Sequence, residues 1–194
     1  MAITFRRMAE SEPDIRDIVR FLTSHRFPFH VRDGHTEESA RKAVDSGRFW
    51  SKDSRGYWIF DGALRIGMVV LDDLGDDTPM FDLRLAEEFR GRGLGQEVLK
   101  ALCTLVFKQF PETLRFEGQT REDNIAMRKT FLRAGFLKEA HYRLSWPTAA
   151  GPRVASVAYA ILRQDWESNR TTPFEWDDLR IEDAGPLDFG KTGR

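Results

Sequence analysis

Arg90-Gly91-Arg92-Gly93-Leu94-Gly95 separates an alternating segment, Phe81-Asp82-Leu83-Arg84-Leu85, from a long apolar run that ends near Gln109. The first segment alternates with a period of two and predicts a strand. The second carries apolar residues on most of a helical circumference: Leu94, Val98, Ala101, Leu102 and Leu105, widened by Leu99, Cys103, Phe107 and Phe110. Only Glu97, Lys100, Thr104 and Lys108 remain as a polar strip, so the helix is covered on nearly all sides. Between the two, glycines let the chain turn sharply and approach a ligand closely. The first amides of the helix have no internal partners and suit a phosphate or pyrophosphate. A P-loop would end in Gly-Lys-Ser/Thr, whereas this stretch ends in Leu94-Gly95-Gln96. A dinucleotide fingerprint needs its third glycine one residue later and an acid about twenty residues on, and both are missing. A glycine-rich turn with no ligand also satisfies the string taken alone.

Working outward, Ile3–Arg7 reads as a short edge strand, and Ser11 opens a helix with Pro13 in its first turn and Asp14 in capping-box position. Thr36 caps a second helix that Gly47 ends. Tyr57–Phe60 and Leu64–Leu71 form a hairpin across Asp61-Gly62, followed by the acidic loop Asp72–Asp77 and a strand to Leu85. Beyond the long helix come a strand Leu114–Thr120, a helix from Asn124 to Gly135, and strands Phe136–Trp146 and Val154–Leu162. The result is a mixed α/β sheet with helices on both sides. The final residues are rich in Asp, Gly, Thr and Pro; Phe174 and Trp176 are expected to dock, and the end from Ala184 is expected to be mobile.

With 194 residues, 30 basic and 31 acidic side chains and a net charge of -1, the chain supports one domain and gives no electrostatic reason to expect nucleic acid or an anionic membrane. One cysteine, Cys103, excludes an internal disulfide and a multi-thiolate zinc site, and reads as an inert core thiol. His25, His30 and His35 recur across a loop without the Cys or clustered acids that would complete a metal set. No apolar run reaches membrane-spanning length and the first residues lack a signal-peptide pattern, so a cytoplasmic protein is expected.

The spacing Arg90-x-x-Gly93-x-Gly95 resembles the acyl-CoA pyrophosphate motif of the GNAT superfamily of N-acetyltransferases. The later Asn124-Ile-Ala-Met127-Arg-Lys-Thr-Phe131-Leu-Arg-Ala-Gly135-Phe136 resembles the family's second motif helix, in the matching order and at a fitting distance. The order is similar to the branch that acetylates ribosomal-protein N-termini. The resemblance covers roughly residues 3–166. It implies a GNAT-like domain over 1–166 and a tail over 167–194, partly docked. The implied fold is a twisted, mostly antiparallel sheet of six to seven strands, splayed at the cofactor site. It implies acetyl-CoA as co-substrate, no metal, and direct transfer to a primary amine, on a protein N-terminus or a small molecule. A homodimer is possible. A non-catalytic acyl-CoA-binding module is the alternative, and a nucleotide-binding oxidoreductase a weaker third.

On that resemblance the pyrophosphate lies against Arg90, Gly91, Arg92, Gly93, Leu94 and Gly95, the pantetheine along Leu83 and Leu85, and Asn124 and Phe131 also meet the cofactor. The amine must lose a proton to attack, and the oxyanion needs a donor from strand backbone. Where many members carry a tyrosine as thiol acid this chain has Phe131, and where some carry a serine it has Met127; neither donates. Tyr142 is the substitute candidate. Asp82, on the side of its strand shared with Arg84, leads as base, with Glu117 second. Asn124 also reads as a helix cap and Asp82 as an Asp–Arg pair. The acids of 72–77 suit either a solvated turn or recruitment of a cationic acceptor, and Phe27, Phe29, His30, Trp50 and Trp58 are candidates for the acceptor wall.

Overall fold

The structure, a computed structural model, describes residues 2–148 and 151–175. Seven strands run in the order β1-β2-β3-β4-β5-β7-β6: β1 (Ile3–Arg7), β2 (Arg55–Asp61), β3 (Leu64–Asp72), β4 (Met80–Leu85), β5 (Arg115–Arg121), β6 (Leu137–Trp146) and β7 (Val154–Leu162). All neighbours are antiparallel except β4 and β5. That parallel ladder holds a single pair, Met80 opposite Glu117. Beyond it the two strands part, so the sheet is split at its middle.

Helices cover both faces. α3 (Leu94–Gln109) and α4 (Ile125–Arg133) pack on one side, where Val98, Leu99, Leu102, Cys103, Val106 and Phe107 meet Phe116, Phe131, Phe136 and Tyr159. α1 (Glu12–Ser24) and α2 (Glu37–Asp45) pack on the other, where Ile18, Phe21 and Leu22 meet Trp58, Met68 and Val70. Burial pushes the Cys103 thiol up to about 12, so it stays protonated and inert. Gly118 permits a close approach: a Cβ there would lie 2.7 Å from both the Phe81 and Phe131 rings.

Several local expectations change. Asp14 does not close a capping box on Ser11; its carboxylate accepts from the Ala9 N–H at 2.9 Å, the Trp58 indole at 2.9 Å and Arg6 at 2.8 Å. Burial alone would raise this carboxyl, but the Arg6, Ala9 and Trp58 hydrogen bonds outweigh it and hold the group below its ordinary value. A further helix, α5 (Arg163–Ser168), spans the expected domain boundary at 166. Its Arg163 donates to the carbonyls of Phe107, Phe110 and Thr113 at 3.0, 2.7 and 2.7 Å, tying it to the C-terminus of α3. Phe174 is half exposed; Trp176 and the end from Ala184 lie outside the described residues. No helix among the described residues is long and apolar enough to cross a membrane.

Candidate active site

The split between β4 and β5 opens into a cavity of about 480 Å³, walled by Asp82, Leu83 and Arg84 of β4 and Gln119 and Thr120 of β5. It continues to Asn124 and Met127 on one side and to His30, Arg32, His35 and Arg48 on the other. The cavity therefore passes through the sheet. Backbone parity determines what the opened edge presents. Glu117 N–H donates to Pro79 C=O at 3.1 Å, and the β3–β4 register runs without a bulge. Odd-numbered residues of β4 therefore point their N–H and C=O toward β5, and past the single ladder pair Leu83 turns its amide into the opening.

At the far end of β4 the glycine turn takes the form its composition demands. Gly91 and Gly93 adopt φ of 72° and 80°, conformations that cost an L side chain about 1 kcal/mol or more. Gly93 is the N-cap of α3 and leaves its first amides without a side-chain partner. A Cβ at Gly91 or Gly93 would meet nothing within 4 Å, so both face open space. Gly95 instead faces Thr130, and the Leu94 side chain is buried in the core while its backbone opens α3. Arg92 is exposed, with no carboxylate partner among the described residues. Arg90 differs from its expected role: its Nε donates inward to Leu85 C=O at 2.9 Å and its guanidinium lies over the Phe27 ring at 5.2 Å. Burial lowers its basicity, and it braces the turn instead of presenting charge outward.

On the opposite face Asp82 is the hub. Its carboxylate accepts from Arg84 at 2.9 and 3.1 Å, from Arg48 at 3.2 Å and from His30 Nε2 at 3.1 Å. Burial would raise it, but the Arg84 and His30 charges and hydrogen bonds hold it well below the usual carboxylate range. Such a carboxylate is a weak proton acceptor, which corrects the reading of Asp82 as the base; it orients its neighbour. With Nε2–H given to Asp82, His30 keeps Nδ1 as an acceptor. His30 is the group that sequence reasoning undervalued, because its partner lies 52 positions away. His35 faces Arg84 through Nε2 at 3.4 Å and Ser39 Oγ through Nδ1 at 3.2 Å. Burial, Arg84 and Arg32 hold it below the ordinary histidine value, so it is neutral at pH 7.

The loop carrying His30 is pinned across the split. Arg26 pairs with Asp33, and the Phe27 N–H donates to Asp33 C=O. Arg121 of β5 donates to Pro28 C=O at 3.1 Å. Phe29 and His30 line the cavity, whereas Phe27 and Trp58 are buried and Trp50 packs against the second core, so three of the expected wall aromatics are packing residues.

Other candidates fall away from the opening. Glu117 is bound to Arg115 at 2.6 Å and accepts from Gln119 at 2.9 Å, and Gln119 lines the cavity in its place. Tyr142 is exposed on the edge strand β6, with β7 between it and β5, roughly 10 Å at one strand spacing per step. Phe131 is fully buried, stacked on Tyr159 at 4.7 Å and packed beside Phe81 of β4, and it does not line the cavity, so it reads as a core residue instead of a cofactor contact. Asn124 both caps α4, accepting from Met127 N–H at 3.2 Å, and donates to Thr120 Oγ1 at 2.9 Å at the cavity wall. None of residues 72–77 lines the cavity, and Asp72 is bound to Arg48 at 3.0 Å. Trp146 does line it, turned in where β6 breaks register beside Leu144 at φ 52°.

The split strand edge and the open glycine turn together fit a long, narrow ligand with a diphosphate at one end, as coenzyme A is. Comparison with known proteins agrees. The fold is that of a spermidine N-acetyltransferase from Vibrio cholerae solved with CoA and spermine, with TM-score 0.72 and 15% identity over 85% of this chain and 98% of that one. RimL, a ribosomal L7/L12 α-N-protein acetyltransferase solved with CoA, gives 0.68 and 20% over 82% and 93%. A probable acetyltransferase gives 0.69 and 19% over 84% and 94%. No curated protein matches the sequence. The model of the acetyltransferase (GNAT) domain matches residues 2–137, well over half of the chain, and the protein therefore belongs to the GNAT family of acetyltransferases, enzymes whose co-substrate is acetyl-CoA.

Proposed function

We propose that the protein transfers the acetyl group of acetyl-CoA to a primary amine that enters the cavity from the α1–α2 face. The observation that carries this reading is the His30–Asp82 pair, set against the opened edge of β4 on the face opposite α3. Acetyl-CoA supplies an acyl carbon activated as a thioester. Amides of the Gly91–Gly95 turn hold the diphosphate, with Arg92 beside them, and the edge of β4 near Leu83 and Leu85 aligns the pantetheine as an added strand. The Leu83 N–H supplies the hydrogen bond for the acyl oxygen. His30 takes the amine proton at Nδ1, and Asp82 stabilises the imidazolium through Nε2.

Met127 has no proton to give and Phe131 is buried, so no side-chain acid serves the departing thiol on α4. A free thiol's ordinary pKa of about 8.5 makes that help dispensable. A binding-only role would also suit Met127 and Phe131, but it leaves the His30–Asp82 pair without a purpose. The test is His30→Ala, assayed by thiol release with a panel of amines and by calorimetry with acetyl-CoA. Turnover should fall about 10²-fold or more while acetyl-CoA affinity holds. Equal turnover in parent and variant removes His30 as base.

A further inference from the structure

The acceptor side of the cavity carries an excess of positive charge that its own acids do not neutralise. Its ionised lining residues are Arg32, Arg48 and Arg84 against one carboxylate, Asp82. Asp82 is already engaged by Arg84, Arg48 and His30, and Arg48 is also held by Asp72 at 3.0 Å. No free carboxylate is left among the described lining residues to receive a second ammonium group. Arg32 is the opposite case: it is exposed at the cavity mouth, and no hydrogen-bond or ion-pair partner is found for it among the described residues. Its charge reaches inward, since with burial and Arg84 it helps keep His35 neutral.

We propose that the acceptor is an amine carrying a carboxylate on the same molecule, with Arg32 holding the carboxylate and His30 facing the amine. The inference rests on the acetyl-transfer reading above and narrows its substrate class. Arginine is suited to this task because its planar fork meets both carboxylate oxygens. The same cationic surroundings favour the neutral form of the incoming amine, which is the form that attacks. A polyamine meets the reverse: repulsion from the unpaired Arg32 guanidinium, and no free acid among the described lining residues to pair with.

The experiment compares thiol release from acetyl-CoA with three kinds of acceptor: free amino acids beside their amides, peptides with an acidic N-terminal residue beside their amide counterparts, and spermidine with spermine. Carboxylate-bearing amines should exceed their uncharged counterparts by tenfold or more in kcat/KM, the cost of one charge-assisted contact. The first two arms separate a small molecule from a protein N-terminus as its source. Arg32→Glu should erase or invert that ratio, and Arg32→Lys should restore part of it. Calorimetry with acetyl-CoA is run on each variant, so that loss of co-substrate binding, which would sink the acetyl-transfer reading itself, is told apart from loss of acceptor selectivity. Equal or better turnover of polyamines by the parent overturns the inference, as does a ratio unaltered in Arg32→Glu, or no turnover of any carboxylate-bearing amine despite acetyl-CoA binding.

Discussion

Replacing Asp82 by Asn keeps the shape of the hub and removes its charge. Two arginines and His30 then lose the carboxylate that gathers them. Removing one partner of a buried ion pair costs about 3–5 kcal/mol. Arg84 is only 12% exposed but Arg48 is 38% exposed, so water recovers part of the loss and the lower end, about 3 kcal/mol, is expected. For a chain of this size that corresponds to a fall in Tm of roughly 6–12 °C at pH 7. The pH dependence carries a sign. The folded-state value of Asp82 lies below its ordinary value of about 3.9. Its stabilisation is therefore complete above that ordinary value and fades as pH falls through the folded-state value. The Tm gap between parent and Asp82→Asn should therefore narrow below about pH 4. Scanning calorimetry between pH 3 and pH 8 measures it. In parallel, turnover at neutral pH should fall far more than acetyl-CoA affinity, because His30 loses its orienting partner. A Tm within 2 °C of the parent at pH 7, or a gap that does not narrow in acid, would refute the assignment of Asp82 as the charged hub.

Gly93→Glu should abolish acetyl-CoA binding, because a carboxylate would stand in the open space before the α3 amides; Gly93→Ala, which adds only the backbone strain of φ 80°, should lose far less. Unchanged calorimetric affinity of Gly93→Glu would place the diphosphate elsewhere. Arg163→Ala removes three charge-assisted bonds, to the carbonyls of Phe107 and Phe110 at the end of α3 and of Thr113 in the turn that follows it. It should cost about 2–4 kcal/mol, read as a lower urea midpoint at constant slope, with Arg163→Lys intermediate; an unmoved midpoint would show that α5 adds nothing to the fold.

What the sequence alone determined about this protein is what neighbouring residues decide among themselves. The turn at Gly91 and Gly93 was legible because positive φ is a property of one residue at a time. The succession from β1 to β7 was legible because a period of two or of about 3.6 is written within a few residues, and the glycine spacing carried the family. The tertiary structure alone decided which polar groups meet. Asp82 and Arg84 read as a strand pair, but nothing near them foretold His30 and Arg48 as partners, since contact across a sheet face leaves no period in the chain. Arg90 and Phe131 carry the residue types of a ligand site, yet packing turned one inward onto Leu85 and sealed the other beneath Phe81 and Tyr159. Tyr142 shows the same limit: β7 lies between β6 and β5, and the order of strands in a sheet is settled by long-range burial and pairing, not by local propensity.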